Sequence, residues 1–221
     1  EADDLTIATV GAMTVNVGLV LRANFNSTTS PITRGRSVAT LEDLSTTVDG
    51  PIKLVSLAGS LTIDGGSDSV GVSAAGSGDV LIESRGGDSD VIIDGDVVSG
   101  SGNITLDAAN DLTVNAAVST AGSGVVYLVA GNDVSVNDSL ATVAGDILVD
   151  AALNLTQNGG ITSGSGNVGV IAGGSLAQTA SGDITTGGDV LLEAGNAWMM
   201  AGDAVITATG NVVGHVLSGD A

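Results

Sequence analysis

Carboxylates dominate the chemistry available to this chain. Asp and Glu number 25 against five Lys and Arg, for a formal charge of −20. Two groups of acids sit on glycine-rich stretches: Asp64-Gly-Gly-Ser-Asp68, and Gly86-Gly-Asp88-Ser-Asp90 with Asp94 and Asp96 beyond. Hard oxygen ligands on glycine-flexible turns suit Ca²⁺, which makes Asp64, Asp68, Asp88 and Asp90 the metal candidates. The second stretch partly matches the Gly-Gly-x-Gly-x-Asp calcium repeat. It has Ser89 and Val91 where that repeat has its fourth-position glycine and sixth-position Asp. Solvated turns are the plainer reading of both stretches, and nothing in the sequence requires a cofactor.

Acids could also catalyse. Glycoside hydrolysis needs a carboxylate pair about 5 to 10 Å apart, usually in a cleft with aromatic platforms for sugar. Phe, Trp and Tyr occur once each, and the acids are spread along turns. His215 is the single histidine, with Ser218 and Asp220 close in sequence. No nucleophile-elbow sequence accompanies them, so His215 reads as a surface residue and the chain as a non-enzyme. The five basic residues all precede Gly86. A surface this acidic repels nucleic acid and anionic lipid and favours solubility and cation binding. No run of about 18 apolar residues exists, so no membrane-spanning helix is expected. Absence of cysteine fits a secreted protein held by stacking rather than disulfides. Glu1 in place of Met reads as a processed or trimmed chain.

These acids must be carried by some regular element, and glycine reveals it. Gly102, Gly124, Gly145, Gly166, Gly188 and Gly210 recur every 21 or 22 residues, each opening a similar phrase. A fixed period of this size signals a stacked repeat. Within a phrase, apolar residues alternate with polar ones in three short bursts: Ile104 and Leu106, then Leu112 and Val114, then Val118. Alternation means half-buried strands, separated here by Gly, Asn and Ala turns whose glycines supply the positive φ of a sharp corner. Apolar residues are 43% of the chain and nearly all aliphatic, as a narrow stacked core requires. The fold expected is all-β: a parallel β-helix (β-solenoid) with three short strands per rung of ~22 residues and about 7–8 rungs.

The columns can be written down. Val80, Ile104, Val126, Ile147, Val168, Val190 and Val212 begin the first strand, and Val118, Leu140, Ile161, Ile184 and Ile206 mark the third. The second strand gives Leu112 and Val114, Val134 and Val136, Leu153 and Leu155, then Leu176. Outward, Leu81, Tyr127, Leu148, Leu191 and Val213 form an apolar line, and Trp198 and Met200 point outward if Ala197 and Met199 point in. An aligned apolar row marks a packing surface. Tyr127, Leu148, Leu191, Trp198 and Met200 are therefore the interface candidates, covered by residues 25–46 or by a neighbouring rod. Upstream the period loosens, although Gly18–Ala23 resembles a first strand. Residues 1–49 read as an irregular coil whose segment 25–46 leaves as a loop or flap, and 50–221 as the regular solenoid.

The phrases G-[DN]-[IV]-x-[LV]-x-A and [DN]-[LV]-x-[LV]-x, closed by V-S-T or I-T-S, resemble the repeats of very large bacterial exoproteins. These are the filamentous-haemagglutinin-like adhesins and autotransporter passenger domains. The resemblance covers most of the chain from about residue 50 and implies a right-handed parallel β-helix, secretion or surface attachment, and adhesion. It implies an extracellular structural or adhesive rod, part of a filament or giant surface protein; self-association end to end or laterally is a physical expectation, because an uncapped rung exposes unpaired strand edges that another copy can satisfy. The alternative is a host- or glycan-binding module with its specificity in 25–46. No secretion domain is recognisable at either end. The repeat runs to Gly210-Asn211-Val212 without an evident cap, as expected of a fragment or of an end completed by another copy.

Overall fold

The computed structural model describes residues 13–16, 38–42, 44–46, 49–66 and 68–217. Their strands stack into three parallel sheets wound as one β-solenoid, and no helix interrupts them. The first sheet holds β1 (Met13–Asn16), β4 (Ile52–Ser56), β7 (Val80–Ser84), β10 (Ile104–Ala108), β13 (Val126–Ala130), β16 (Ile147–Ala151), β19 (Val168–Ala172), β22 (Val190–Ala194) and β25 (Val212–Val216). The second holds β2 (Val38–Glu42), β5 (Ser60–Asp64), β8 (Val91–Ile93), β11 (Leu112–Val114), β14 (Val134–Val136), β17 (Leu155–Gln157), β20 (Ser175–Gln178) and β23 (Ala197–Met200). The third holds β3 (Leu44–Thr46), β6 (Val70–Ala74), β9 (Asp96–Ser99), β12 (Val118–Thr120), β15 (Leu140–Thr142), β18 (Ile161–Ser163), β21 (Ile184–Thr186) and β24 (Ile206–Ala208). Nine strands at ~4.8 Å spacing make the first sheet about 38 Å long.

Why each rung takes three strands follows from the alternation. From β4 to β22 the strands of the first sheet bury positions one, three and five, and most strands of the other two bury their first and third. The inward columns stack like on like: Val80, Ile104, Val126 and Ile147 in one, Ile82, Leu106, Leu128 and Val149 in the next. They merge into a single aliphatic core. The fifth position of the first sheet, where the corner tightens, narrows to Ala108, Ala130, Ala151, Ala172 and Ala194, all buried. The third strand closes on a buried hydroxyl. Ser99 Oγ donates to Gly78 O (2.8 Å), Thr120 Oγ1 to Gly124 O (3.2 Å) and Ser163 Oγ to Gly145 O (2.9 Å). This is why the coils end in V-S-T or I-T-S.

The recurring glycines serve close approach rather than unusual torsion. A Cβ at Gly102 would meet Gly78 O, at Gly124 Gly102 O, at Gly145 Gly124 O and at Gly166 Gly145 O, each a backbone atom that cannot swing aside. Among the described residues positive φ is found at Gly59, Gly66 and Gly76 (97°, 52° and 62°) and at Asp49 and Ser69 (22° and 70°), and at none of the recurring glycines. The expectation of positive φ at those corners is thus corrected. The rungs are so close at this corner that a side-chain carbon does not fit between them.

Two further expectations change. Val38–Glu42 and Leu44–Thr46, expected within a flap, are strands of the second and third sheets, pairing with Ser60–Asp64 and with Val72–Ala74. Residues 25–37 of that flap lie outside the described residues, as does Gly18–Ala23. The first-sheet strand described there is Met13–Asn16, in register with Ile52–Val55. Leu153, expected inward, stands in the turn and is half exposed, while Leu155 stacks on Val134 and Gln157 on Val136. The wide rung from Gly50 carries its extra length in the β5–β6 turn and a register shift between Val70 and Val72.

Candidate interaction surface

With the inward columns filled, function must lie on outward positions, and the three sheets differ there. On the second sheet the outward row runs Thr62, Ile92, Thr113, Ser135, Thr156, Ala177, Met199. On the third it runs Ser73, Val98, Ser119, Ala141, Thr162, Thr185, Thr207. Both rows are uncharged and mostly hydroxylated, with Ile92, Met199 and Val98 as isolated bulkier apolar residues. The outward rows of the first sheet set an apolar line beside a run of acids. Its second position reads Leu81, Thr105, Tyr127, Leu148, Gly169, Leu191, Val213, as the sequence indicated. Its fourth reads Glu83, Asp107, Val129, Asp150, Ile171, Glu193, His215.

Gly169 breaks the apolar line between Leu148 and Leu191. The gap opens a depression of about 500 Å³ whose lining includes Leu148, Gly169, Leu191 and Val213, with Asp146, Asn167, Asp189 and Asn211 along one margin. Leu191 and Val213 are 37% and 41% exposed, and Tyr127 and Leu148 are half-buried.

Electrostatics on this face are strained toward negative charge. Burial pushes the Asp107 carboxyl above the usual carboxylate range, and the neighbouring Glu83 adds to the shift. Glu83 itself is lowered, because Arg85 donates to it through Nε (2.5 Å) and Nη2 (2.9 Å). The Tyr127 phenol is raised by burial, then by Asp150 and Asp107.

The turn acids are committed to the fold. After Gly78, Gly102, Gly145 and Gly166 an Asp or Asn accepts from the backbone of the next rung, and Val125 after Gly124 interrupts the ladder: Asn103 N donates to Asp79 Oδ1 (2.7 Å), Val125 N to Asn103 Oδ1 (2.9 Å), Asn167 N to Asp146 Oδ1 (2.6 Å) and Asp189 N to Asn167 Oδ1 (2.9 Å). A second ladder climbs the next corner, where Asp111 N and Asn110 Nδ2 donate to Asp90 Oδ1, and Asp133 N and Asn132 Nδ2 to Asp111 Oδ1. A third joins Asn115, Asn137 and Asn158 through their amides at 2.7 Å. Ladder hydrogen bonds were not foreseen. The recurrence of Asp or Asn at one offset from the glycines was the available signal.

These commitments bear on the proposed metal residues. Asp64 Oδ1 accepts from Gly66 N (3.2 Å) and Asp68 Oδ1 from Val70 N (2.9 Å), while Asp88 is exposed and Asp90 belongs to the ladder. Asp64 ends its second-sheet strand and Asp90 precedes the start of the next, so the two pairs lie at opposite strand ends of that sheet. Among the described residues no three His, Asp or Glu side chains gather at metal-binding range.

Trp198 and Met200 require a correction. Trp198 stacks on Leu176 and Met200 on Gln178, so both occupy inward columns, and Met199 is the outward residue at 61% exposure. The indole reaches across the core to Gly214, where a Cβ would strike its ring. Its Nε1 donates to Gln178 Oε1 (2.9 Å), Gln178 Nε2 donates to Gln157 Oε1 (3.1 Å), and Gln157 Nε2 donates to Gly159 O (3.2 Å). A buried glutamine pair thus runs through an otherwise aliphatic column and ends on the one tryptophan. Met200 is 39% exposed only because no described strand stacks above β23. The five interface candidates therefore split: Tyr127, Leu148 and Leu191 line the first-sheet face, while Trp198 and Met200 form part of the last rung. His215 lies outward above Glu193 and is exposed; Ser218 and Asp220 lie outside the described residues.

No protein-family model, no curated protein and no solved structure matches this chain.

Proposed function

We propose that this chain is a length of extracellular structural or adhesive rod, non-catalytic, that extends by stacking end to end. The observation that supports this reading is the state of the last described rung. Val212, Val216 and Met200 occupy inward columns yet are 51%, 45% and 39% exposed, whereas the residues one rung below, Val190, Ala194 and Gln178, are 1%, 0% and 3% exposed. An apolar rung face that no described strand covers is a template for another parallel strand, whether of a longer stretch of the same rod or of another copy. Burying those side chains at ~25 cal/mol per Å² of apolar surface would favour stacking, and further rungs lengthen the rod without changing its cross-section.

Sedimentation velocity over a wide concentration range tests this. The wild-type protein is expected to grow in mass with concentration, and Val212→Lys, which places a charge on the end of the core, to remain a single rod. A wild-type protein that stays single throughout would overturn the reading.

A further inference from the structure

The first-sheet face carries a pattern that rod-building does not use. Asp146, Leu148 and Asp150 occupy alternate outward positions of one strand and its corner, and Asp189, Leu191 and Glu193 repeat the arrangement two rungs on. Acid, apolar residue, acid is thus written twice, on either side of the Gly169 gap, spanning about 13 Å from acid to acid. Asp146 and Asp189 use Oδ1 for the ladder, and their second oxygens take no hydrogen bond among the described residues. Asp150 and Glu193 have no ion-pair partner there either, and the sequence contains no Lys or Arg beyond Arg85. The same motif, Asp79, Leu81 and Glu83, occurs once earlier, and there Arg85 supplies two hydrogen bonds to Glu83.

We propose that this depression docks an extended cationic segment of another protein, in which an apolar side chain stands between two basic ones at two-residue spacing. An extended strand displays alternate side chains on one face at the pitch at which this sheet displays its own, so Lys or Arg, apolar, Lys or Arg meets acid, apolar, acid. The apolar side chain enters the gap at Gly169, one cation reaches Asp146 and Asp189 on the margin of the depression, and the other reaches Asp150 and Glu193 at the fourth outward position of the flanking strands. A second copy of this chain does not fit: it carries −20 overall and the same acids on this face. At the rungs level with the depression the other two sheets present only Thr156 and Ala177, and Thr162 and Thr185, which offer neither feature.

The test is an NMR titration of the ¹⁵N-labelled protein with two capped peptides of identical composition, Lys-Ser-Leu-Ser-Lys and Ser-Lys-Leu-Lys-Ser. Only the first places both lysines on the same face as leucine. It is expected to shift amides around Leu148, Gly169 and Leu191, and to bind at least about threefold more tightly than the second. Gly169→Val fills the gap against only the flexible end of Leu148, and should abolish that preference while leaving second- and third-sheet amides in place. Asp150→Asn with Glu193→Gln should weaken binding about threefold or more. Equal binding of the two peptides, shifts spread over all carboxylates, or the same amides responding to unlabelled copies of this protein would each overturn the proposal.

Discussion

Replacing Gly124 by alanine should cost far more than a methyl group ordinarily does. Its Cβ would lie 1.9 Å from Gly102 O and 2.5 Å from Gly102 C, where ordinary contact begins near 3.4 Å. Relief requires about 1.5 Å of separation between two backbones stacked at ~4.8 Å. The bonds across this corner, Ile104 N to Val125 O (2.8 Å) and Val125 N to Asn103 Oδ1 (2.9 Å), do not survive such a shift. Two bonds at ~1 kcal/mol each and ~1–3 kcal/mol of overpacking total about 3–5 kcal/mol. Loss of unfolded-chain freedom returns about 0.4–1 kcal/mol, leaving a net destabilisation of about 3 kcal/mol. Gly87→Ala is the matched control, because a Cβ there meets nothing within 4 Å and its φ is not left-handed. Urea denaturation followed by far-UV circular dichroism should show Gly124→Ala well below wild type and Gly87→Ala at or slightly above it. If the two variants differ by less than about 0.5 kcal/mol, close approach is not the reason for the glycine period.

Three other outcomes are expected. Gln178→Leu leaves Trp198 Nε1 and Gln157 Oε1 without partners and should cost about 1–3 kcal/mol, whereas Gln157→Leu with Gln178→Leu should cost less than the sum of the single changes in a double-mutant cycle. Asn167→Asp stacks three carboxylates, Asp146, residue 167 and Asp189, and should lower thermal stability by about 1 kcal/mol at low salt, the loss shrinking as salt is added. Asp107→Asn should raise stability at neutral pH by a few tenths of a kcal/mol, the group being largely screened by solvent. Because folding raises this carboxyl's pKa, its contribution is fully present below the unfolded value and is lost as pH rises through the folded one. The variant's advantage should therefore vanish in acid, as thermal melts across pH would show.

The stacked columns were legible in the sequence because alternation and period agree at every rung. What failed was parity. Leu153 and Leu155 both satisfy a period of two, and only counting from the recurring glycine separates them. The interval from Gly102 to Leu112 recurs from Gly124 to Val134, Gly145 to Leu155, Gly166 to Leu176 and Gly188 to Trp198. The same count places Trp198 inward, where alternation among Ala197, Trp198, Met199 and Met200 left its direction open. Gln157 and Gln178 were hidden by their type, since a polar residue at an inward position is acceptable only with a partner, and that partner lies a full rung away. The Gly169 depression was equally invisible. It arises from the absence of a side chain at one height on a face whose neighbours become adjacent only when the coil is wound.

The most direct measurement of end-to-end assembly is electron microscopy of the purified chain at concentrations where its mass has grown. Stacking on the Val212, Val216 and Met200 rung predicts filaments one solenoid wide, much longer than the ~38 Å first sheet, with a continuous axial repeat near 4.8 Å and none in Val212→Lys. Single short rods, or sheets joined side by side without axial continuity, would contradict it.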